Sequence, residues 1–300
     1  MTEQNALFTT ELITLEDVSR VYPPKPLLGW HPPIYEGATL AVGRAIYEYV
    51  PQRAVDAWTS LVVDLAREFA PGNLWLLPTY ARLPYPYAVF WPLASAFRTE
   101  KESGRRFDWF VWMDDDVIVT KADIRHLLAA AQAHDLKFIA ACPYDRCAPY
   151  SPSIVEKVDG TPFKWVKAPP SGSYPVAMTG FNLCLFRRDI FDIVPEPWFG
   201  VCAPTKGFSG VAPDWWWSIQ MEKAGLQPWV CCDTNVIHLR PDGESCRKTS
   251  EEYYATHNVA ESGMLEDRQI YTSPNSGAMM TRPPKFRDGR MEYELGTNMP

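Results

Sequence analysis

The chain has 300 residues, of which 46% are hydrophobic and 22% charged, with a formal net charge of -7 and a sequence pI near 5.3. This length and apolar content predict an ordinary globular protein with a large core. The acidic balance argues against a surface built to neutralise many phosphates. No apolar stretch is long enough to cross a bilayer, and the N-terminus lacks the pattern of a signal peptide.

The seven cysteines indicate a reducing compartment. They form no pair of CxxC motifs, which argues against a structural zinc site. Several lie inside apolar runs, where a reduced cysteine acts as a small hydrophobic residue. We therefore expect a cytoplasmic protein.

The first third of the chain alternates between strand and helix patterns. Residues 1–38 are rich in proline and are expected to form an extended arm, followed by a first strand at 39–42. Apolar residues at helical spacing predict a helix over residues 51–69, and the run 74–77 predicts a second buried strand. The proline-interrupted aromatic stretch 85–97 is expected to be a loop that leads into a short helix.

Three adjacent carboxylates, Asp114, Asp115 and Asp116, interrupt the apolar run of the third predicted strand. On an extended backbone Asp114 and Asp116 point the same way while Asp115 points opposite. Paired carboxylates suit a hard divalent cation such as Mg²⁺ or Mn²⁺. The alternative is a solvated acidic turn before the helix that begins after Thr120.

The order of elements predicts an α/β fold with a parallel sheet. Thr120 and Asp123 have capping-box spacing at the start of the next helix, and residues 137–142 form a fourth apolar run. Strands that alternate with helices build parallel sheets through crossover connections. Such sheets bind ligands beyond the carboxyl ends of their strands, where the three carboxylates are expected to lie.

The pattern changes after Pro143. Strand patterns flank residues 159–160 (Asp-Gly), which indicates a hairpin, and residues 176–186 form a further strand in which Gly180 favours a bulge or close backbone approach. A short helix is expected after residue 187, and residues 200–213 resemble a surface loop or lid.

A helix over residues 214–224, ended by Gly225, precedes two short strands, the second ending at His238. Residues 251–256 have a weak helical pattern, and the region from 273 onward has few apolar groups. The simplest organisation is a catalytic domain over residues 39–265 and a C-terminal tail over 266–300.

Four motifs in this order resemble the GT-A glycosyltransferases that use nucleotide sugars, including family-2-like and phage-type enzymes. They are WFVWMDDDV at residues 109–117, MTGFNLCLFRR at 178–188, APDWWW at 212–217 and the segment 225–238. The resemblance implies a GT-A (Rossmann-like) fold: a mixed, mostly parallel sheet flanked by helices, with a smaller antiparallel hairpin region on the acceptor side.

The resemblance also implies a metal site and a donor. Asp114, Asp116 and His238 would hold Mn²⁺ or Mg²⁺ against the diphosphate of a UDP- or GDP-linked sugar, with Asp116 the more dependable ligand. Asp114 or Asp115 would contact the ribose or the metal. Arg44, soon after the first strand, is a further candidate contact of the nucleotide. The alternative for His238 is a hydrogen-bonded, partly buried histidine.

Asp214 is the implied general base of an inverting transfer, although an Asp at this position also suits a helix N-cap. The family usually has two acids here, where this chain has Pro213 and Asp214, so a retaining enzyme with Asn182 facing the sugar is also open. The implied contacts of the sugar and acceptor are Gly180, Asn182, Trp215 and Trp216.

Two other functions fit the same acidic cluster: a metal-dependent phosphatase or nuclease, and a non-catalytic module that binds nucleotide sugars. The acceptor is not specified by the fold. A modified nucleobase in DNA, as for a phage enzyme acting in the host cytoplasm, fits the Trp-rich acceptor side, while the acidic pI argues against it.

Overall fold

The computed structural model describes residues 37–46, 50–81, 83, 85–144, 152–158, 161–166, 169–200, 212–240, 242–246, 248, 285–287 and 290–292. The expected arm up to residue 36, the loop residues 201–211 and the expected helix at 251–256 lie outside these ranges. None of the helices within them has the length and apolar character needed to cross a membrane.

The described ranges contain fifteen strands and five helices. The strands are β1 (Leu40–Ile46), β2 (Leu74–Leu76), β3 (Tyr80–Ala81), β4 (Trp109–Met113), β5 (Val117–Ile118), β6 (Phe138–Ala141), β7 (Ile154–Val158), β8 (Thr161–Trp165), β9 (Ser173–Pro175), β10 (Met178–Thr179), β11 (Leu183–Arg187), β12 (Trp229–Cys231), β13 (Ile237–His238), β14 (Lys285–Arg287) and β15 (Arg290–Glu292). The helices are α1 (Gln52–Glu68), α2 (Tyr85–Ser103), α3 (Lys121–Ala133), α4 (Ile190–Ile193) and α5 (Pro213–Lys223).

A mixed sheet forms the centre of the molecule, with seven strands in the order β2-β1-β4-β11-β6-β12-β9 and β3 paired to the far end of β1. Strands β2, β1 and β4 are parallel to one another, and β12 is parallel to β6. Strand β11 is antiparallel to both β4 and β6, so those two strands run in the same direction. The carboxyl ends of β1, β4, β6 and β12 therefore share one edge of the sheet.

Alternation along β4 explains why helices cover both faces of the sheet. Phe110 and Trp112 pack into one apolar cluster with α2 and α5, and Val111 and Met113 into another with α1 and α3. All four side chains are buried, which confirms the expectation of a strand covered on both faces. The α/β class is confirmed, and the sheet is mixed because β11 and β9 run against their neighbours.

The expectation of a loop at residues 85–97 was wrong, because this stretch lies within the 19-residue helix α2. An interior proline costs a helix about 3 kcal/mol, which the apolar burial of α2 offsets. Pro92 also packs against β1: a Cβ atom placed on Gly43 would lie 2.7 Å from the Cβ of Pro92. The absence of a side chain at Gly43 lets the proline ring approach the strand.

Two expected strands also differ from the structure. The run 176–186 is divided into β10 and β11 by residues 180–182, and β10 joins β7 and β8 in a separate antiparallel sheet. Strand β2 is not buried as expected, since it lies at the sheet edge and Leu76 is 47% exposed. The hairpin of β7 and β8 and the strand β6 agree with the sequence pattern. Within the expected tail, β14 and β15 form a two-stranded antiparallel sheet.

Candidate metal centre

The three carboxylates lie in a turn that follows β4. The strand ends at Met113, Asp115 and Asp116 form the turn, and the chain continues as β5. The expected extended backbone through the carboxylates was therefore wrong. Asp116 is only 6% exposed, which also excludes the alternative of a solvated acidic turn at this residue. A buried carboxylate needs a compensating charge or hydrogen-bond donors.

The pairing of β13 with β5 brings His238 to this turn. His238 lies opposite Val117 in the antiparallel register, and the amide of Leu239 donates to the carbonyl oxygen of Asp116 over 2.9 Å. One ligand atom each from Asp114, Asp116 and His238 lies within 4.8 Å of the other two. The three side chains that the resemblance assigns to a metal are thus close enough to share one ion.

The hydrogen bonds of His238 determine which ring nitrogen faces the carboxylates. Nδ1 lies 2.7 Å from the carbonyl oxygen of Tyr144, which can only accept, so Nδ1 carries the proton. In the neutral imidazole the lone pair is then on Nε2, which lies 3.2 Å from Oδ1 of Asp116. Two facing acceptors require a proton or a cation between them, and two carboxylates with one imidazole could hold a divalent metal ion.

Arg44 compensates part of the negative charge from inside the protein. It lies opposite Met113 in the register of β1 and β4, is 4% exposed, and donates from Nη2 to the carbonyl oxygen of Asp115 over 2.9 Å. Burial lowers the pKa of Arg44, while Asp115 and Asp116 raise it. Its Nε has no hydrogen-bond partner among the described residues. The position of Arg44 is compatible with the predicted contact to a nucleotide. Its observed hydrogen bond, however, is to the acidic turn itself.

Asn182 places a second buried polar group next to Asp114. Its carbonyl oxygen accepts from the amide of Asp114 over 3.0 Å, and its side-chain Oδ1 accepts from the amide of Leu183 over 2.6 Å. Asn182 is 1% exposed, yet Nδ2 has no partner among the described residues. A buried amide donor without a partner is costly, and a ligand oxygen would satisfy it.

Gly180 has a packing role. A Cβ atom there would lie 3.1 Å from Oγ of Ser153 and 3.3 Å from Cγ of Pro143. The amide of Gly180 donates to the carbonyl oxygen of Ser153 over 2.9 Å. The expected close backbone approach is confirmed, and the described contacts of Gly180 are with neighbouring protein segments.

Asp214 lies in the first turn of α5, inside the helix. The N-cap is Ala212, so the N-cap alternative for Asp214 was wrong. Its Oδ1 accepts from the amide of Trp215 over 2.8 Å. Burial raises the pKa of Cys184, and the carboxylates of Asp114 and Asp214 both raise it further. The pKa of one buried thiol thus responds to both acids.

The three tryptophans of α5 have different surroundings. Trp217 is fully buried in an aromatic cluster and lies 5.3 Å from Phe186 between ring centroids. The indole N–H of Trp216 donates to the carbonyl oxygen of Pro197 over 2.9 Å, and its ring packs on Gly200. Trp215 is half-buried. Of the two predicted acceptor contacts, Trp216 is engaged in packing.

Two supports of the segment that carries His238 were not among the predicted site residues. The first is the backbone carbonyl of Tyr144. Every residue has such a group, so the residue type at position 144 gives no sign of this contact. The second is Asp123, whose Oδ2 accepts from the amide and hydroxyl of Thr120 over 2.8 and 2.7 Å. Its Oδ1 accepts from the amide of Asn235 over 2.6 Å. The capping box was predicted from the sequence, but the hydrogen bond from Asn235 to the other carboxylate oxygen of Asp123 was not. This bond fixes the turn before β13.

No family model matches the sequence, and no curated protein matches it. Among solved structures, the crystal structure of A197 from STIV is similar at a TM-score of 0.44 and 14% identity, over 69% of this chain and 92% of that chain. A TM-score at this level carries no argument about fold or function.

Proposed function

We propose that this protein is a metal-dependent glycosyltransferase that moves a sugar from a nucleoside-diphosphate sugar to an acceptor hydroxyl. The observation that carries the proposal is the convergence of Asp114, Asp116 and His238 within 4.8 Å. They lie beyond the carboxyl end of β4, at the edge where open α/β sheets bind ligands. A sheet of parallel strands with the reversed strand β11 supports the GT-A fold that the sequence resembles.

The residues around this cluster have complementary tasks in the proposed reaction. Asp114, Asp116 and His238 would hold Mn²⁺ or Mg²⁺, which when bound supplies positive charge beside the diphosphate of a UDP- or GDP-sugar. Arg44 holds the carbonyl of Asp115 and so fixes the turn that carries the carboxylates. The side-chain amide of Asn182 donates its Nδ2 hydrogen to an oxygen of the bound donor.

Asp214 is the proposed general base of an inverting transfer. Its carboxylate takes the proton from the acceptor hydroxyl while that oxygen bonds to the anomeric carbon and the diphosphate leaves. Its place in the first turn of α5, at the position that the resemblance gives to the base, supports this role. Trp215 and Trp216, which are both half-buried, are the proposed acceptor contacts.

The direct test is donor hydrolysis by the purified full-length protein with Mn²⁺ and a panel of UDP- and GDP-sugars. We expect slow release of nucleoside diphosphate from one donor, abolished by chelation and by Asp116→Asn. Asp192→Asn is the matched control, because this exposed acid pairs with Arg106 and Arg188 and lies outside the cluster. A candidate acceptor that accelerates the release, with oligonucleotides carrying hydroxymethylated bases among the candidates, would identify the acceptor class.

Other outcomes would select the other two functions. Cleavage of DNA or of a phosphate monoester, with no turnover of nucleotide sugars, would show a phosphatase or nuclease instead. Two-metal enzymes of that kind need further ligands, whereas the described residues offer one group of three. Binding of a nucleotide sugar in calorimetry without turnover on any acceptor would show a non-catalytic module.

A further inference from the structure

Cys142 and Cys232 are neighbours across the parallel strands β6 and β12. The register pairs Val230 with Ala140 and Cys231 with Ala141, and the amide of Cys142 donates to the carbonyl oxygen of Cys231 over 3.1 Å. Cys142 and Cys232 each directly follow the last paired residues of these two strands. Neighbouring strands are about 4.8 Å apart, and disulfides join Cα atoms about 4.4–6.8 Å apart.

The two thiols also share one side of the sheet. Cys232 is buried at 8% exposure in a small apolar cluster with Val230, and the half-buried Cys142 and Tyr174 pack against the same cluster. The thiol of Cys232 donates to the hydroxyl oxygen of Tyr174 over 3.8 Å. Burial raises the pKa of Tyr174, and Cys232 and Cys142 both raise it further. The pKa of this one phenol therefore depends on both cysteines.

We propose that Cys142 and Cys232 are an oxidation site that forms a reversible disulfide. The oxidant is a low-molecular-weight disulfide of the glutathione class. The more accessible thiolate of Cys142 attacks one sulfur of the oxidant, forming a mixed disulfide and releasing one thiolate. Cys232 then attacks the Cys142 sulfur and releases the second. Two protein thiols are oxidised, one disulfide is reduced to two thiols, and the two protons pass to the released thiolates.

The disulfide would brace the edge of the sheet that carries the metal candidate. Tyr144, whose carbonyl oxygen holds Nδ1 of His238, comes two residues after Cys142. His238 itself comes six residues after Cys232. One segment runs from Cys142 to Tyr144 and the other from Cys232 to His238. A disulfide between the two cysteines would therefore join these segments at their N-terminal ends, while the hydrogen bond joins them at their C-terminal ends. The formation of the disulfide does not depend on the proposed glycosyl transfer.

Peptide mapping of the full-length protein tests the pairing. Reduced protein is incubated with oxidised glutathione, remaining thiols are alkylated, and trypsin digestion is done without reduction. Cys142 then lies in the peptide 138–146, and Cys232 in the peptide 224–247, since trypsin does not cut before Pro241. We expect these two peptides joined, with fragmentation placing the bond on Cys232 rather than Cys231 or Cys246. Dithiothreitol should separate them.

Variants make the assignment specific. Cys142→Ser and Cys232→Ser should each abolish the joined peptide, and Cys147→Ser, in the neighbouring peptide, should keep it. A bond from Cys142 to Cys147, or Cys142 and Cys232 alkylated after oxidation, would overturn the pairing. The oxidised protein should also melt at a higher temperature than the reduced protein, a difference absent in Cys142→Ser. An unchanged melting temperature in a fully joined sample would overturn the bracing role.

Discussion

The Nδ1 atom of His238 lies 2.7 Å from the carbonyl oxygen of Tyr144, so a hydrogen bond connects the segment after β6 to β13. This bond leaves Nε2 facing Asp116. Backbone carbonyls that orient metal-binding histidines in this way set the tautomer that binds the ion. The site therefore depends on a contact between two segments far apart in the chain.

Replacing His238 should weaken metal binding without unfolding the protein. We expect His238→Gln to raise the dissociation constant for Mn²⁺ at least about tenfold, because the amide lacks the imidazole lone pair. Titration calorimetry measures this. His134→Gln is the matched control, since His134 is exposed and stacks on Trp229, 4.8 Å between ring centroids. Equal affinity in wild type and His238→Gln would remove His238 from the site.

Removing the charge of Arg44 should destabilise the protein and make its stability depend on metal. Arg44→Met leaves the carboxylates of the turn without a nearby cation and the carbonyl oxygen of Asp115 without its donor, and an unsatisfied buried group costs about 1–3 kcal/mol. Urea unfolding measures the loss, and saturating Mn²⁺ should recover part of it by supplying charge at the same place. Arg67→Met, whose side chain is 76% exposed, should change the free energy of unfolding by less than about 0.5 kcal/mol. A similar, small change in both variants would contradict the charge argument.

The carboxylate of Asp123 predicts a pH dependence of stability. Burial raises its pKa, against the hydrogen bonds from Thr120 and Asn235. An acid with a higher pKa in the folded than in the unfolded state binds its proton more tightly when folded. Its contribution to stability is therefore greatest at low pH and falls as the pH rises from about 3.9, the unfolded value, through the folded value.

Asp123→Asn removes this titrating group and tests whether its contribution to stability falls as the pH rises. The difference in unfolding free energy between wild type and Asp123→Asn should become smaller as the pH rises from 4 to 7. Urea unfolding across this range measures it. Asp56→Asn is the control, because Asp56 is an exposed acid on α1 that accepts a hydrogen bond from Gln52, and its difference from wild type should show no such trend. A difference that grows with pH would mean that the hydrogen bonds outweigh burial.

Asp214→Asn separates the proposed chemistry from donor binding. If Asp214 is the base, we expect kcat for transfer to fall about 10²- to 10⁴-fold. The affinity for Mn²⁺ and donor should be unchanged, because Asp214 lies outside the Asp114–Asp116–His238 group. Rapid-quench kinetics with the acceptor found in the donor screen measures the step. Full turnover by Asp214→Asn would exclude it as the base.

Local sequence patterns predicted those parts of the fold that depend on interactions between residues close together in the chain. The capping box at Thr120 and Asp123, the burial of β4 and the position of β13 all follow from residue identity and periodicity. Two features depend on distant contacts that a pattern does not contain. Helix α2 accepts Pro92 because Gly43 on another element has no side chain, and β11 lies between strands from earlier in the chain.

The candidate site likewise has some features that the sequence indicated and others that depend on contacts between distant segments. The order of Asp114, Asp116, Asp214 and His238 along the sequence indicated that they belong to one region. The turn through Asp115 and Asp116, the support from Arg44 and the carbonyl of Tyr144 arise from three-dimensional packing. A residue-type pattern identifies candidate ligands, whereas the groups that orient them are often backbone atoms.

The position of β11 between β4 and β6 has a consequence for how the chain folds during synthesis. Until residue 187 has left the ribosome, β4 and β6 have no strand between them, and each has an unsatisfied edge toward the missing partner. Exposed apolar edges attract other chains. The nascent protein is therefore most prone to aggregation between the completion of β6 and the arrival of β11, and a truncation before Leu183 should yield insoluble material.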